Sequence, residues 1–206
     1  MTAPPLTLPA GEFDAFLFDL DGTVADSMPL HFLAWSEAVA QHGGQFPMPL
    51  FYQMGGIPLG RTVELLNERF GTSMDPAEVV RLKEALYLER LDEVTPVAAV
   101  LKVIEEHAAR LPFAIVSGSP RTSIARTLAA LGLGDYFRVI VGAEDYRHGK
   151  PSPEPFLLAA EMLAVVPERC LVFEDADAGV ESAHAAGMQV VRIPQTELCG
   201  NNEEKQ

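Results

Sequence analysis

The stretch AFLFDLDGTVADS, residues 15–27, sets an apolar run against a burst of carboxylates. Ala15-Phe16-Leu17-Phe18 reads as a strand buried on both faces, yet Asp19 and Asp21 follow it at once, with Gly22 and Thr23 straight after. Two like charges separated by one residue, at the end of a buried strand, call for a compensating positive charge that the local sequence does not supply.

The same grammar recurs down the chain. Phe113 to Val116 runs into Ser117-Gly118-Ser119, Val139 to Val141 into Gly142, and Leu171 to Phe173 into Glu174-Asp175. A fifth apolar run, Val190 to Ile193, lacks the polar ending. Between these runs lie helical patterns, such as Val97, Val100, Leu101 and Ile104, or Ile124, Leu128 and Leu131 closed by Gly132. Strands alternating with helices predict an α/β fold, a parallel sheet with helices covering both faces.

The interval between the first two strands is too long for one crossover. Residues 28–94 carry at least three helical stretches. Leu30, Leu33, Trp35 and Val39 lie on the first, which stops at Gly43-Gly44; the second runs from Val63 to Phe70; the third opens at Asp75-Pro76, a cap followed by proline at the first helical position. The expected organisation is therefore a core of residues 11–27 and 95–197, an inserted α-helical domain at 28–94, and frayed ends at 1–10 and 198–206.

In open parallel sheets ligands bind outside the carboxyl ends of the strands, so Asp19, Asp21, Ser117, Glu174 and Asp175 are expected to converge. Two like charges 4 Å apart cost roughly 4 kcal/mol at an effective dielectric of 20. A divalent cation resolves that repulsion, and hard oxygen ligands suit Mg2+. The turn Ser117-Gly118-Ser119-Pro120, with Ser119 as a helix N-cap, is an anion site. Lys150, in HGKPSPEP, offers a fixed positive charge. Phosphate, lysine and metal together suit a transferring phosphoryl group, and a poised aspartate makes covalent transfer through an aspartyl-phosphate reasonable. Taken singly, each motif has a plainer reading: a lone DxD is a turn, and Glu174-Asp175-Ala176-Asp177 are acids favoured at a helix N-terminus. Neither GGIPLG nor GLG makes a dinucleotide fingerprint or a Walker loop. The joint pattern carries the inference.

Composition limits the partners. With 206 residues, 48% of them apolar, the chain suits one domain with an insertion, and a net charge of -14 argues against nucleic acid or an anionic membrane. Cys170 and Cys199 form no CxxC pair. No signal peptide or transmembrane stretch is read from the chain, so a cytoplasmic monomer acting on a small phosphorylated metabolite is expected.

Asp19-Leu20-Asp21-Gly22-Thr23, Ser117-Gly118-Ser119, Lys150-Pro151 and Glu174-Asp175, in that order, resemble the four motifs of the haloacid dehalogenase superfamily. The helical insertion after the first motif resembles the subgroup of β-phosphoglucomutases and fructose-1-phosphatase-like sugar phosphatases. The resemblance implies a Rossmann-like core with a mobile helical cap. It implies that Asp19 is the nucleophile and a magnesium ligand. Asp21 is implied as general acid, then base, with its carbonyl on the metal. Thr23, Ser117, Gly118 and Lys150 would hold the phosphoryl group, and Asp175, with Glu174 beside it, would complete the metal site. Dehalogenases of the superfamily lack the second aspartate, so Asp21 argues against that chemistry.

In the insertion, His31 and Trp35 match an HxxxW element, and Arg61 and Lys83 match positions that contact or sense a sugar phosphate in this subgroup. The plainer readings stay open: His31 covers the hinge, Trp35 fills the core, and Lys83 is a solvated helix residue. Mutases of the subgroup typically read GVSR in the cap and SASKN after the second strand. Here the stretches are Gly56-Ile57-Pro58-Leu59-Gly60-Arg61 and Ser117-Gly118-Ser119-Pro120-Arg121. Pro120 replaces the lysine that grips a distal phosphate, which favours hydrolysis, while Arg121 keeps the mutase as the alternative. A sugar-phosphate-binding regulator without turnover ranks below both, because it could dispense with Asp21 or Lys150.

Overall fold

The computed structural model describes residues 6–194. Five strands form one all-parallel sheet: β1 (Ala15–Phe18), β2 (Phe113–Val116), β3 (Phe137–Val141), β4 (Cys170–Glu174) and β5 (Gln189–Arg192), in the order β3-β2-β1-β4-β5. β1 is central, with Phe18 in register with Ile115 on one side and Phe173 on the other. The topology reverses at β1, so the crevice for a ligand lies at its carboxyl end. The polar residues that follow β1, β2 and β4 are therefore neighbours.

The pleat sends alternate residues to opposite faces. Phe16, Phe18, Phe113, Phe137 and Phe173 form an aromatic layer on one face, Phe18 stacked on Phe173 with centroids 4.5 Å apart. It packs with Val100 and Ile104 of helix α5 (Ala98–His107) and Ile124 and Leu128 of α6 (Arg121–Ala130). On the other face Ala15, Leu17, Ala114, Val116 and Val172 meet Phe156 and Ala159 of α7 (Glu154–Leu163) and Ala183 of α8 (Asp177–Ala185). Both faces are covered, which is why β1, β2 and β4 read as unbroken apolar runs.

Residues 28–94 hold four α-helices, in keeping with the three or more expected: α1 (Met28–Gln41), α2 (Met48–Gln53), α3 (Leu59–Phe70) and α4 (Pro76–Leu88). α1 packs along α4, and α4 along α3. Asp75 caps α4 as expected, accepting from the Ala77 and Glu78 amides at 2.8 and 3.2 Å. The segment is joined to the sheet by two adjacent strands of linker. The Asp26 amide donates to the Thr95 carbonyl at 2.8 Å, and the Val97 amide to Val24 at 3.0 Å. Entry and exit thus leave the core side by side.

Within the N-terminal end, Leu6 and Leu8 are partly buried against the main core. Cys199 and the expected tail at 198–206 lie outside the described residues, as do positions 195–197 of the expected core range. Among the described residues no helix is long and apolar enough to cross a membrane.

Candidate active site

β1 delivers Asp19, β4 ends in Glu174 followed by Asp175, and all three are buried. One carboxylate oxygen from each lies within 4.8 Å of the others. Two glycines make this crowding feasible. Gly22 has φ +93°, and a Cβ there would stand 2.5 Å from an Asp175 carboxylate oxygen. A Cβ on Gly179, in the first turn of α8, would stand 2.0 Å from the Glu174 carboxylate. Only a residue without a side chain fits at either place.

Lys150 partly answers the charge. Its Nζ donates to Asp19 at 2.7 Å, to Glu174 at 2.7 Å and to the Val116 carbonyl at 3.0 Å. One ammonium does not balance three carboxylates. Burial, and then the charge of Glu174, push Asp19 well above the usual carboxylate range in spite of Lys150. Burial by itself would lower the lysine, but the attraction of Asp19 and Glu174 outweighs it and raises Lys150 above its ordinary value. A buried cluster that favours an extra proton is one that a cation can stabilise instead, and its donor set is all hard oxygen. These residues fit a divalent metal.

Asp21 points elsewhere. Its Oδ1 accepts from Ser27 Oγ at 2.7 Å and lies 2.9 Å from His31 Nε2; its Oδ2 accepts from Ser119 Oγ at 2.8 Å and from Ser117 Oγ at 3.5 Å. Burial opposes ionisation, but His31 and the serine hydroxyls outweigh it and hold Asp21 well below the usual carboxylate range. The Asp21 carboxylate is therefore not part of the acidic cluster expected to hold metal; only its backbone carbonyl remains for that role. Ser119 is likewise not the N-cap of α6. Its hydroxyl serves Asp21, and Pro120 occupies the cap position without a side-chain hydrogen bond. Thr23, fully buried, donates to Asp175 at 3.3 Å. Gly118 is exposed on the turn that lines the cavity.

That cavity, about 620 Å³, lies between the sheet edge and the inserted helices. Asp19, Ser117 and Lys150 line one side, and His31, Tyr52 and Lys83 the other. His31 stacks on Tyr87 with centroids 3.9 Å apart. Lys83 is not a solvated helix residue: it is 2% exposed, its Nζ donates to Glu84 at 2.7 Å and lies 5.7 Å from the Trp35 ring centre. Trp35 packs edge-on against Phe46, as a core residue does, while also lining the cavity.

Two expected contacts are absent from this arrangement. Arg61 turns outward along its own helix and pairs with Glu64 at 2.8 Å and Glu68 at 3.0 Å. Arg121 donates to Asp145 at 2.6 Å and to the Ile140 carbonyl at 2.8 Å. Neither lines the cavity. In both cases nearby acids outside the cavity hold the guanidinium. Conversely, sequence reasoning missed Ser27, Tyr52, Tyr87 and Tyr146, whose hydroxyl donates to the Ser117 carbonyl at 3.1 Å. Only Ser27 carried a signal, being a small hydroxyl six residues after Asp21.

Carboxylates, a lysine and serine hydroxyls converging at the carboxyl ends of parallel strands define a Rossmann-like α/β protein with a helical insert over its polar site. The chain belongs to the haloacid dehalogenase-like hydrolase family, whose pattern matches residues 13–187. It is 37% identical over 182 residues to the fructose-1-phosphate phosphatase YqaB of Escherichia coli (strain K12), covering 88% of this chain and 96% of that protein. It is 29% identical over 192 residues to a β-phosphoglucomutase of Bacillus subtilis (strain 168), covering 88% of this chain and 83% of the relative. The crystal structure of CbbY from Rhodobacter sphaeroides in complex with phosphate superposes with a TM-score of 0.82 at 22% identity, over 89% of this chain and 87% of that one. That last likeness concerns the fold alone.

Proposed function

We propose that this protein is a magnesium-dependent phosphatase for a small sugar phosphate of the fructose 1-phosphate kind, working through an aspartyl-phosphate on Asp19. The observation that carries the reading is the buried Asp19, Glu174 and Asp175 cluster bridged by Lys150 at the mouth of β1. Likeness to a fructose-1-phosphate phosphatase over nearly the whole of both chains supports the choice of substrate class.

In this mechanism an Asp19 oxygen attacks phosphorus and the bond to the leaving sugar oxygen breaks. Asp21 gives that oxygen a proton. It then takes a proton from the water that attacks phospho-Asp19, releasing inorganic phosphate and restoring the carboxylate. Lys150, Ser117 and the Gly118 amide hold the phosphoryl oxygens, and Thr23 braces Asp175. Asp19, Asp175 and the Asp21 carbonyl would hold magnesium, with Glu174 beside them; the ion would neutralise charge on the nucleophile and the phosphoryl group. In the present arrangement four donors hold Asp21 as a carboxylate, so it must leave some of them before it can carry a proton to the leaving oxygen.

Residues 28–94 act as the cap over a core of 11–27 and 95–197, moving about the paired linkers around Ala25 and Pro96. The bridge between those two residues supports a hinge there. The protein is read as a cytoplasmic monomer without nucleic-acid or membrane partners. A mutase is the alternative, favoured by the likeness to β-phosphoglucomutase. Pro120 and the engagement of Arg121 with Asp145 count against it. A non-catalytic regulator is weaker, since Asp21 and Lys150 are both present in the site. Phosphate release across a set of sugar phosphates, with magnesium and again with EDTA, tests the reading. No release from any of them overturns it.

A further inference from the structure

Tyr52 lies on α2, the short helix that the sequence pattern did not reveal. Its ring packs edge-on to Phe51, with centroids 5.2 Å apart, and the residue lines the cavity. The hydroxyl is buried and has no hydrogen-bond partner. Tyrosine hydroxyls in interiors usually find one, and an orphaned polar group costs about 1–3 kcal/mol. Phenylalanine would fill the same space without that cost. A phenol keeps its proton at neutral pH, so this hydroxyl is available as a donor.

The buried charged groups lining the cavity beside it are already engaged. Lys83 is paired with Glu84, His31 with Asp21, and Lys150 with Asp19 and Glu174. Tyr52 is the cavity-lining side chain whose buried polar atom is left over among the described residues, apart from the second ring nitrogen of His31. A cavity of about 620 Å³ falls within the ~300–1,000 Å³ typical of small-molecule pockets, leaving room for a leaving group beyond the phosphoryl end. We infer that the Tyr52 hydroxyl donates a hydrogen bond to a hydroxyl oxygen of the substrate's sugar, making it a residue that selects polyhydroxylated leaving groups. This rests on the phosphatase reading above and assigns one contact within it.

The test is Tyr52→Phe, which removes a single oxygen. kcat/KM is measured for fructose 1-phosphate and for p-nitrophenyl phosphate, whose leaving group has no sugar hydroxyls, and melting temperature is recorded alongside. Removing a donor to a substrate hydroxyl is expected to lower kcat/KM on the sugar phosphate about 10- to 100-fold. The aryl phosphate should change less than twofold, with no fall in melting temperature. Unchanged kinetics on both substrates overturn the inference, and so does an equal loss on both, which would place Tyr52 in the framework. A wild-type protein that hydrolyses the aryl phosphate but no sugar phosphate overturns the substrate reading, and this contact with it.

Discussion

The ammonium of Lys150 lies 2.7 Å from Asp19, joining two residues 131 positions apart in the chain. The same Nζ reaches Glu174 at an equal distance. The lysine thus links the loop after β3 to the ends of β1 and β4, and it places a cation among three buried acids.

Lys150→Met should therefore be costly. Breaking a buried ion pair by removing one partner typically costs about 3–5 kcal/mol, and here two carboxylates lose their partner. The deficit should shrink as pH falls from 7.5 to 5, because Asp19, already raised by burial and by Glu174, then takes up a proton. Urea denaturation at both pH values checks this. A deficit that grows on acidification would show that the acids are not competing for the lysine.

Asp19→Asn should separate activity from stability. Turnover should fall below about 0.1% of wild type, more than about 4 kcal/mol of transition-state stabilisation. Stability without metal should stay level or rise, since one of three crowded carboxylates becomes neutral. Phosphate release and a thermal melt on the same sample give both readings.

Magnesium should stabilise the protein most where the cluster is ionised. A raised Asp19 contributes stability at low pH through its bound proton, and that contribution is lost as pH rises through its folded value. A cation replaces the proton, so the magnesium-induced rise in melting temperature should be larger at pH 8 than at pH 5. At 100 times Kd the stabilisation is about 2.7 kcal/mol. EDTA should remove both this increment and the activity, and magnesium should restore both.

Asp21 carries the opposite sign. Its carboxyl is held well below the usual range, against burial, by His31, Ser27 and Ser119. Its contribution is present above the unfolded value near 3.8 and is lost as pH falls through the lower folded value. Asp21→Asn should therefore cost stability by a constant amount from pH 5 to 7, with the gap closing below pH 4. Denaturation curves across that range check it; a gap that widens toward acid would contradict the four-donor arrangement.

Much of the site is legible in sequence because it obeys one local rule, a buried strand followed by a polar residue. Asp19, Ser117 and Glu174 all satisfy it, and the parallel sheet then brings them together. Asp75-Pro76 is legible for a similar reason, since capping is local. What fails depends on direction or on distant partners. Lys83 reads as solvated because charge on a helix usually is, and its cover comes from Trp35 and Tyr87. α2, six residues long, is too short to show periodicity. Arg121 bonds to Asp145, 24 residues on, a pairing that no spacing rule announces. Arg61 differs: its acid at Glu64, three residues on, was visible and offered a solvent-facing partner from the start.

The choice between hydrolysis and mutase chemistry turns on Arg121. In the mechanism proposed above both reactions would form the same phospho-Asp19 and differ in what attacks it next. A mutase must keep its bisphosphate gripped at the distal end until a second sugar hydroxyl reaches the phosphoryl group ahead of water. Pro120 removes a cation from that grip and has no N–H to offer instead. Arg121, the substitute, donates from Nε to Asp145 and from Nη2 to the Ile140 carbonyl, outside the cavity. Releasing it would break a largely exposed ion pair worth about 0–1 kcal/mol, so recruitment is energetically feasible and needs a direct test. Arg121→Ala should leave sugar-phosphate hydrolysis within about twofold of wild type, a change under about 0.4 kcal/mol. With β-glucose 1-phosphate, inorganic phosphate should accumulate in step with free glucose, without added bisphosphate and with little glucose 6-phosphate. If a trace of bisphosphate makes glucose 6-phosphate appear faster than phosphate, and Arg121→Ala abolishes that product, the arginine leaves Asp145 to hold the distal phosphate and the protein is a mutase.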